Sequence, residues 1–276
     1  MKPSMSASKA RGTRAYEVLR SLQVRPRSLA AALALVLTAH LTFFPVAASA
    51  GQSEAAAAYA SQNYGEAFRE WAELSEAGDG LSQYNLGTLY LEGKGVTRDD
   101  AKTAYWWQKS AESGQAQAAF GLGMLYLHGR GVSADDVLAF RWLNEAAAAG
   151  HTEAQSQLGS LFATGRGVTQ DNKSAMLWWL KAADHNDVDA QVNLGFSYLD
   201  GKTTDIDPSK AVIWWQKAAE NGSRIAQFNL GSLYVNGEYV ERNYDVATKW
   251  FKLAAKNGDA SATTILNDMR ERGLIR

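Results

Sequence analysis

The chain has no cysteine among its 276 residues, and only four histidines and four prolines. Without thiols it can form no disulfide, hold no metal through sulfur and carry no lipid on a cysteine. Three histidines follow the first fifty residues, His128, His151 and His185, and none stands in a metal-type pattern such as H-E-x-x-H. His128 and His151 fall in loop or helix-end positions, where a solvated ring is expected. There is no G-x-S-x-G, and the only Ser-x-x-Lys, Ser6 to Lys9, lies in a basic leader. The strings "EGKGV", "HGRGV" and "TGRGV" follow expected helices rather than strands, so they are inter-helix turns and not phosphate cradles. No catalytic set, cofactor site or metal site emerges, and the chain is expected not to be an enzyme.

Charge of one sign is also scarce. The chain has 28 basic and 29 acidic residues; the first fifty hold 7 and 1, leaving 21 against 28, about −7, for residues 51–276. An acidic body has no electrostatic footprint for nucleic acid and is repelled by anionic lipid.

What the sequence does contain is a period. Leu-Gly recurs at Leu86-Gly87, Leu122-Gly123, Leu158-Gly159, Leu194-Gly195 and Leu230-Gly231, in steps of 36. Trp106, Trp142, Trp178, Trp214 and Trp250 form a second column, and Tyr90, Tyr126, Phe162, Tyr198 and Tyr234 a third. Within a unit, Ala211, Trp214, Trp215, Ala218 and Ala219 make the apolar stripe of an amphipathic helix, as do Ala118, Leu122, Leu125 and Tyr126 in a preceding one. Paired tryptophans on such a stripe are expected to be interlocking core, with small alanines where backbones cross. Asp99, Asp135, Asp171, Asp207 and Asn243 stand as N-caps of the second helices, with Pro208 at a tolerated first position. The acidic neighbours Asp100 and Asp136 are therefore capping-region residues, not acid–base pairs. Gly78, Gly114, Gly150, Asn186, Gly222 and Gly258 end the second helices with residues that accept a left-handed backbone.

The unit A-x-x-x-L-G-x-x-Y-x-x-G-x-G-V-x-x-D-x-x-x-A-x-x-W-x-x-K-A-A-x-x-G resembles the Sel-one-like repeat, a relative of the tetratricopeptide repeat. The resemblance implies an all-α, right-handed superhelical α-solenoid of 36-residue helix-turn-helix repeats. Five units are expected at 79–114, 115–150, 151–186, 187–222 and 223–258, between N-terminal capping helices in 51–78 and a C-terminal capping helix in 259–276. Residues 65–78 look like a lone second helix, with Ala67, Trp71 and Gly78 in register. Asn267 and Arg270 turn the outer face of the last helix polar.

Residues 1–50 are of another kind. Lys2, Lys9, Arg11, Arg14, Arg20, Arg25 and Arg27 precede a short apolar run interrupted by His40 and Pro45, and Ala48-Ser49-Ala50 offers a cleavage site before Gly51. The expectation is a signal peptide and an exported, periplasmic protein without membrane insertion after cleavage; a retained anchor is the weaker reading. The start at Met1 or Met5 stays open.

With chemistry absent, function is sought on the surface. Stacked first helices are expected to line a concave groove for a protein or peptide segment. Gln83, Gln155, Gln191 and Gln227, with Asn85, Gln157, Asn193 and Asn229, form carboxamide columns suited to bonding an extended backbone. The rival reading makes them ordinary face residues or bonds between neighbouring units. Thr203 and Tyr239 replace the turn glycines Gly95, Gly131 and Gly167, so those turns should take another conformation, with Tyr239 a candidate contact. The resemblance implies an interaction scaffold or adaptor in the cell envelope, regulating a signalling or exopolysaccharide system. The alternative is a protein binding or hydrolysing cell-wall glycopeptide or β-lactams; the family's cysteine-rich secreted members implicated there have disulfide-pinned geometry that this chain lacks.

Overall fold

The computed structural model describes residues 50–237 and 239–276. All of the expected signal peptide except Ala50 lies outside the described residues. Thirteen helices follow one another: α1 (Ala50–Ala60), α2 (Tyr64–Glu76), α3 (Gly80–Glu92), α4 (Asp100–Glu112), α5 (Ala116–His128), α6 (Asp136–Ala148), α7 (Thr152–Thr164), α8 (Asn172–Asp184), α9 (Val188–Asp200), α10 (Pro208–Glu220), α11 (Arg224–Asn236), α12 (Tyr244–Lys256) and α13 (Ala260–Glu271). The described residues contain no strand, and consecutive helices pack in pairs. This is the all-α helix-repeat class expected from the period.

The described chain divides into two compact bodies, residues 50–182 and 183–276. Residues 65–78 are not a lone helix. The α1 helix precedes α2 and packs on it, so the N-terminal cap is itself a pair, joined by the short segment 61–63. The sequence conceals this because α1 carries no Leu-Gly or Tyr of the repeat columns.

The punctuation forms as the residue types require. Asp99 accepts from the amides of Ala101 and Lys102, Asp135 from Val137 and Leu138, Asp171 from Lys173 and Ser174, Asp207 from Lys210 and Asn243 from Val246. At the other end of the second helices the backbone turns left-handed at every expected position, including Asn186 with φ 63°.

The core forms where a large ring meets a missing side chain. Trp107, Trp215 and Phe251 are fully buried on the second helices of their units. A Cβ added at Gly195 would stand 2.1 Å from the indole Nε1 of Trp215, so only glycine lets α9 approach α10 this closely. The same indole donates to the Val192 carbonyl at 3.1 Å, and Trp107 and Trp179 repeat the bond to Tyr84 and Ser156 at 3.1 and 3.2 Å. Burial of a tryptophan here costs no unpaired N–H.

Candidate interaction surface

The carboxamide columns do not form an open ladder. Gln83, Gln155, Gln191 and Gln227 are all buried. Gln83 Nε2 donates to the Ser75 carbonyl, Gln155 to Ala147 and Gln227 to Ala219, each a bond from a first helix back to the preceding unit's second helix. Asn85 and Asn229 are also buried, while Gln157 and Asn193 are half-buried. The reason is visible at Gly121, the glycine of the Asn column. A Cβ there would lie 2.6 Å from the ring of Trp107 in the preceding unit, so this column faces the unit-to-unit seam. The glutamines thus join neighbouring units, and an extended partner backbone finds no row of free amides among them. The sequence pattern alone does not separate the two faces, because Gln is common both outside and at polar seams.

The tryptophans also divide into two sets. The second residue of each pair is core, as expected. The first is buried at Trp106 and Trp142 and half-buried at Trp178, Trp214 and Trp250. Cations cover most of these rings: Lys109 Nζ lies 5.4 Å from Trp106, Arg141 Cζ 5.0 Å from Trp142, Lys181 Nζ 4.0 Å from Trp178 and Lys217 Nζ 4.3 Å from Trp214. Beside the tryptophans, Tyr105, Leu177 and Ile213 are 52, 61 and 51% exposed and share one repeat column. These are large apolar side chains left at the surface, in a column that carries Arg141 in the second unit and Lys249 in the fifth. The signal was in the sequence, since each residue immediately precedes a column tryptophan.

His151 is not solvated. It caps α7 by accepting from the Ala154 amide at Nδ1, stacks on Phe120 with ring centroids 4.5 Å apart, and its Nε2 meets Gln117 Oε1 at 2.7 Å. Burial holds its pKa below the usual imidazole value, against the pull of Glu153. His128, at the end of α5, is exposed as expected. Tyr239 stands on its turn 42% exposed. Among the described residues no group of His, Asp and Glu is placed to hold a metal ion, and no helix is long and apolar enough to cross a membrane.

Helix pairs joined by inter-unit seams define a helix-repeat architecture. The chain belongs to the Sel1 repeat family: that family's model matches residues 80–115, 116–151, 152–187, 188–223 and 224–259. Sel1 repeat proteins generally mediate protein–protein interaction, and as a class their scaffold is generally non-catalytic. A Sel1 repeat protein from Oxalobacter formigenes is 31% identical and superposes with a TM-score of 0.74, covering 79% of this chain and 90% of that one. A protective antigen of uropathogenic Escherichia coli with an SLR fold is 28% identical, with a TM-score of 0.47 and coverage of 76% and 53%. A Klebsiella pneumoniae protein described as a sel1 repeat protein is 23% identical, with a TM-score of 0.46 and coverage of 74% and 99%. Among curated proteins there is no significant match.

Proposed function

We propose that the chain is an exported, non-catalytic scaffold or adaptor of the bacterial cell envelope, which holds a protein of a signalling or exopolysaccharide system. The supporting observation is the exposure of Tyr105, Leu177 and Ile213, which share one repeat column and stand beside buried Trp106 and half-buried Trp178 and Trp214 on the second helices. The column carries Arg141 in the second unit and Lys249 in the fifth, so the apolar side chains stand in the first, third and fourth units, Tyr105 and Leu177 in the first body and Ile213 in the second, and each offers an anchor for a partner protein. Export rests on the basic leader and the Ala48-Ser49-Ala50 site.

A photoreactive residue placed at Leu177 or Ile213 in intact cells should yield one discrete adduct with an envelope protein, while the same label at exposed Glu112 yields none. Mass spectrometry of the protein from those cells should find Gly51 at its N-terminus. Equal labelling from all three positions, or none, would overturn the scaffold reading; an unprocessed cytosolic chain would overturn export.

A further inference from the structure

The fifth unit differs from the first and the fourth where its second helix meets its first. In unit four, Lys210 Nζ lies 5.3 Å from the Tyr198 ring and Lys217 Nζ 4.3 Å from the Trp214 ring. In the first unit, Lys102 and Lys109 stand 5.0 and 5.4 Å from Tyr90 and Trp106 in the same two roles. In the fifth unit Val246 and Leu253 occupy these two columns. The rings of Tyr234 and Trp250 therefore carry no lysine from those positions. They line a cleft of about 350 Å³ with Val246, Leu253, Lys249 and Gln216 of α10. Leu253 is 41% exposed at its rim.

We infer that this cleft is a docking site for an acidic peptide segment of a partner protein, which inserts one aliphatic or aromatic side chain between Trp250 and Leu253 and sets its carboxylates against Lys249. The inference rests on the scaffold reading and names the chemistry of one partner contact. The walls select the anchor, since four of the six lining side chains are apolar or aromatic. Charge selects the flanks. Residues 244–276 carry six basic side chains, Lys249, Lys252, Lys256, Arg270, Arg272 and Arg276, against four acidic ones, whereas residues 51–243 carry 15 against 24. Four of the six lining residues belong to this net-positive segment, and acidic flanks gain both on-rate and specificity there. Exposed aromatic faces alone would favour a cation. The exposed ammonium of Lys249 in the lining opposes one.

The test uses the purified protein and an acidic pentapeptide amide, Glu-Asp-Leu-Asp-Glu, followed through the indole N–H resonance of Trp250, which is identified by its loss in Trp250→Phe. The expected result is a saturable shift, about tenfold weaker with alanine at the centre of the peptide. A Lys-Lys-Leu-Lys-Lys peptide should leave the resonance unmoved. Leu253→Lys restores the residue type that units one, three and four carry in this column, and should abolish the shift without changing the melting temperature. No saturable shift, an equal response to either control peptide, or binding that survives Leu253→Lys would overturn the proposal. Crosslinking at Leu177 and Ile213 is read separately, so failure of the cleft is distinguishable from failure of the scaffold reading.

Discussion

The turns of the first three units and those of the last two have the same length and different mechanics. Gly95, Gly131 and Gly167 hold φ of 69, 70 and 70°, and a Cβ on them would stand 2.3, 2.1 and 1.9 Å from the backbone oxygens of Tyr64, Asp100 and Asp136. Each of these turns lies on the start of the preceding unit's second helix. Arg130 fixes one such contact with two bonds to Asp100, 2.7 and 2.9 Å, and Arg166 bonds both Asp136 and the Leu127 carbonyl. In the second body Thr203 replaces the glycine without positive φ, as the sequence led one to expect, Tyr239 stands exposed in the same column, and Lys202 turns to Asp200 within its own turn. Backbone and arginine thus make a unit-to-unit latch in the turns of the first body. What the two bodies share is the seam inside each unit where a glycine meets a large side chain, a ring in every unit but the second, where Leu143 takes its place.

That shared seam should give the largest effects. Trp107→Ala in the first body and Trp215→Ala in the second should each cost about 3–5 kcal/mol, because each leaves a ring-sized cavity against a glycine and frees a backbone carbonyl. Trp214→Ala, one position earlier and half-buried, should cost clearly less. Denaturant unfolding measures the three, and equal losses at Trp214 and Trp215 would erase the distinction between seam and surface rings.

The latch comes next. Gly131→Ala places a methyl group against the Asp100 carbonyl at a backbone angle that alanine disfavours, and should cost about 2–3 kcal/mol. Tyr239→Ala, on an exposed turn, should stay within about 0.5 kcal/mol. Comparable losses would mean that the two kinds of turn do the same mechanical work.

Much of this was legible in the sequence because it is periodic and local. The five-unit register, the Asp column of caps and the left-handed helix ends all depend on residue type at a fixed offset, and each is realised. The carboxamide columns were misjudged because facing a seam and facing solvent differ only in the crossing of two helices, which residue spacing does not specify. His151 was misjudged for a related reason. Its value as a cap depends on Phe120 and Gln117, both on the preceding unit's α5.

Acid should weaken the latch in the carboxylate range. The Arg130 guanidinium draws the carboxyl pKa of Asp100 from 3.8 down to about 2. The folded state therefore favours the carboxylate. The resulting stability is present above pH 3.8 and is lost as pH falls toward 2. With Asp100 partly exposed, this is about 1 kcal/mol after solvent screening. Arg130→Met should flatten that acid arm. The arm due to His151 is separate and begins higher, as pH falls through 6.5, because its folded pKa is also lowered and the buried ring resists protonation. An unchanged acid arm in Arg130→Met would show that the latch contributes nothing in solution.

The smallest expected effect reverses the comparison, for here the second body is the more complete. Asn257 Nδ2 donates to Gln227 Oε1 at 2.9 Å, and Asn221 reaches Gln191 at 3.5 Å, so the seam glutamine of unit five has both ends bonded. In the first body the position thirty residues after Gln83 is Ser113, whose hydroxyl donates to the Ser110 carbonyl, and Gln83 Oε1 is buried without a partner. Ser113 already has φ −84° and ψ 4°, close to the −86° and 16° of Asn257, so asparagine fits there without moving the backbone. Ser113→Asn should therefore raise stability by about 0.5–1 kcal/mol, the ordinary net value of one added hydrogen bond. Asn257→Ala should lower it by at least as much, since it leaves the buried Gln227 oxygen unpaired. A null result at Ser113 with a loss at Asn257 would mean that the Gln83 oxygen already has a water partner, and that the two seams differ in what fills them rather than in how well they are satisfied.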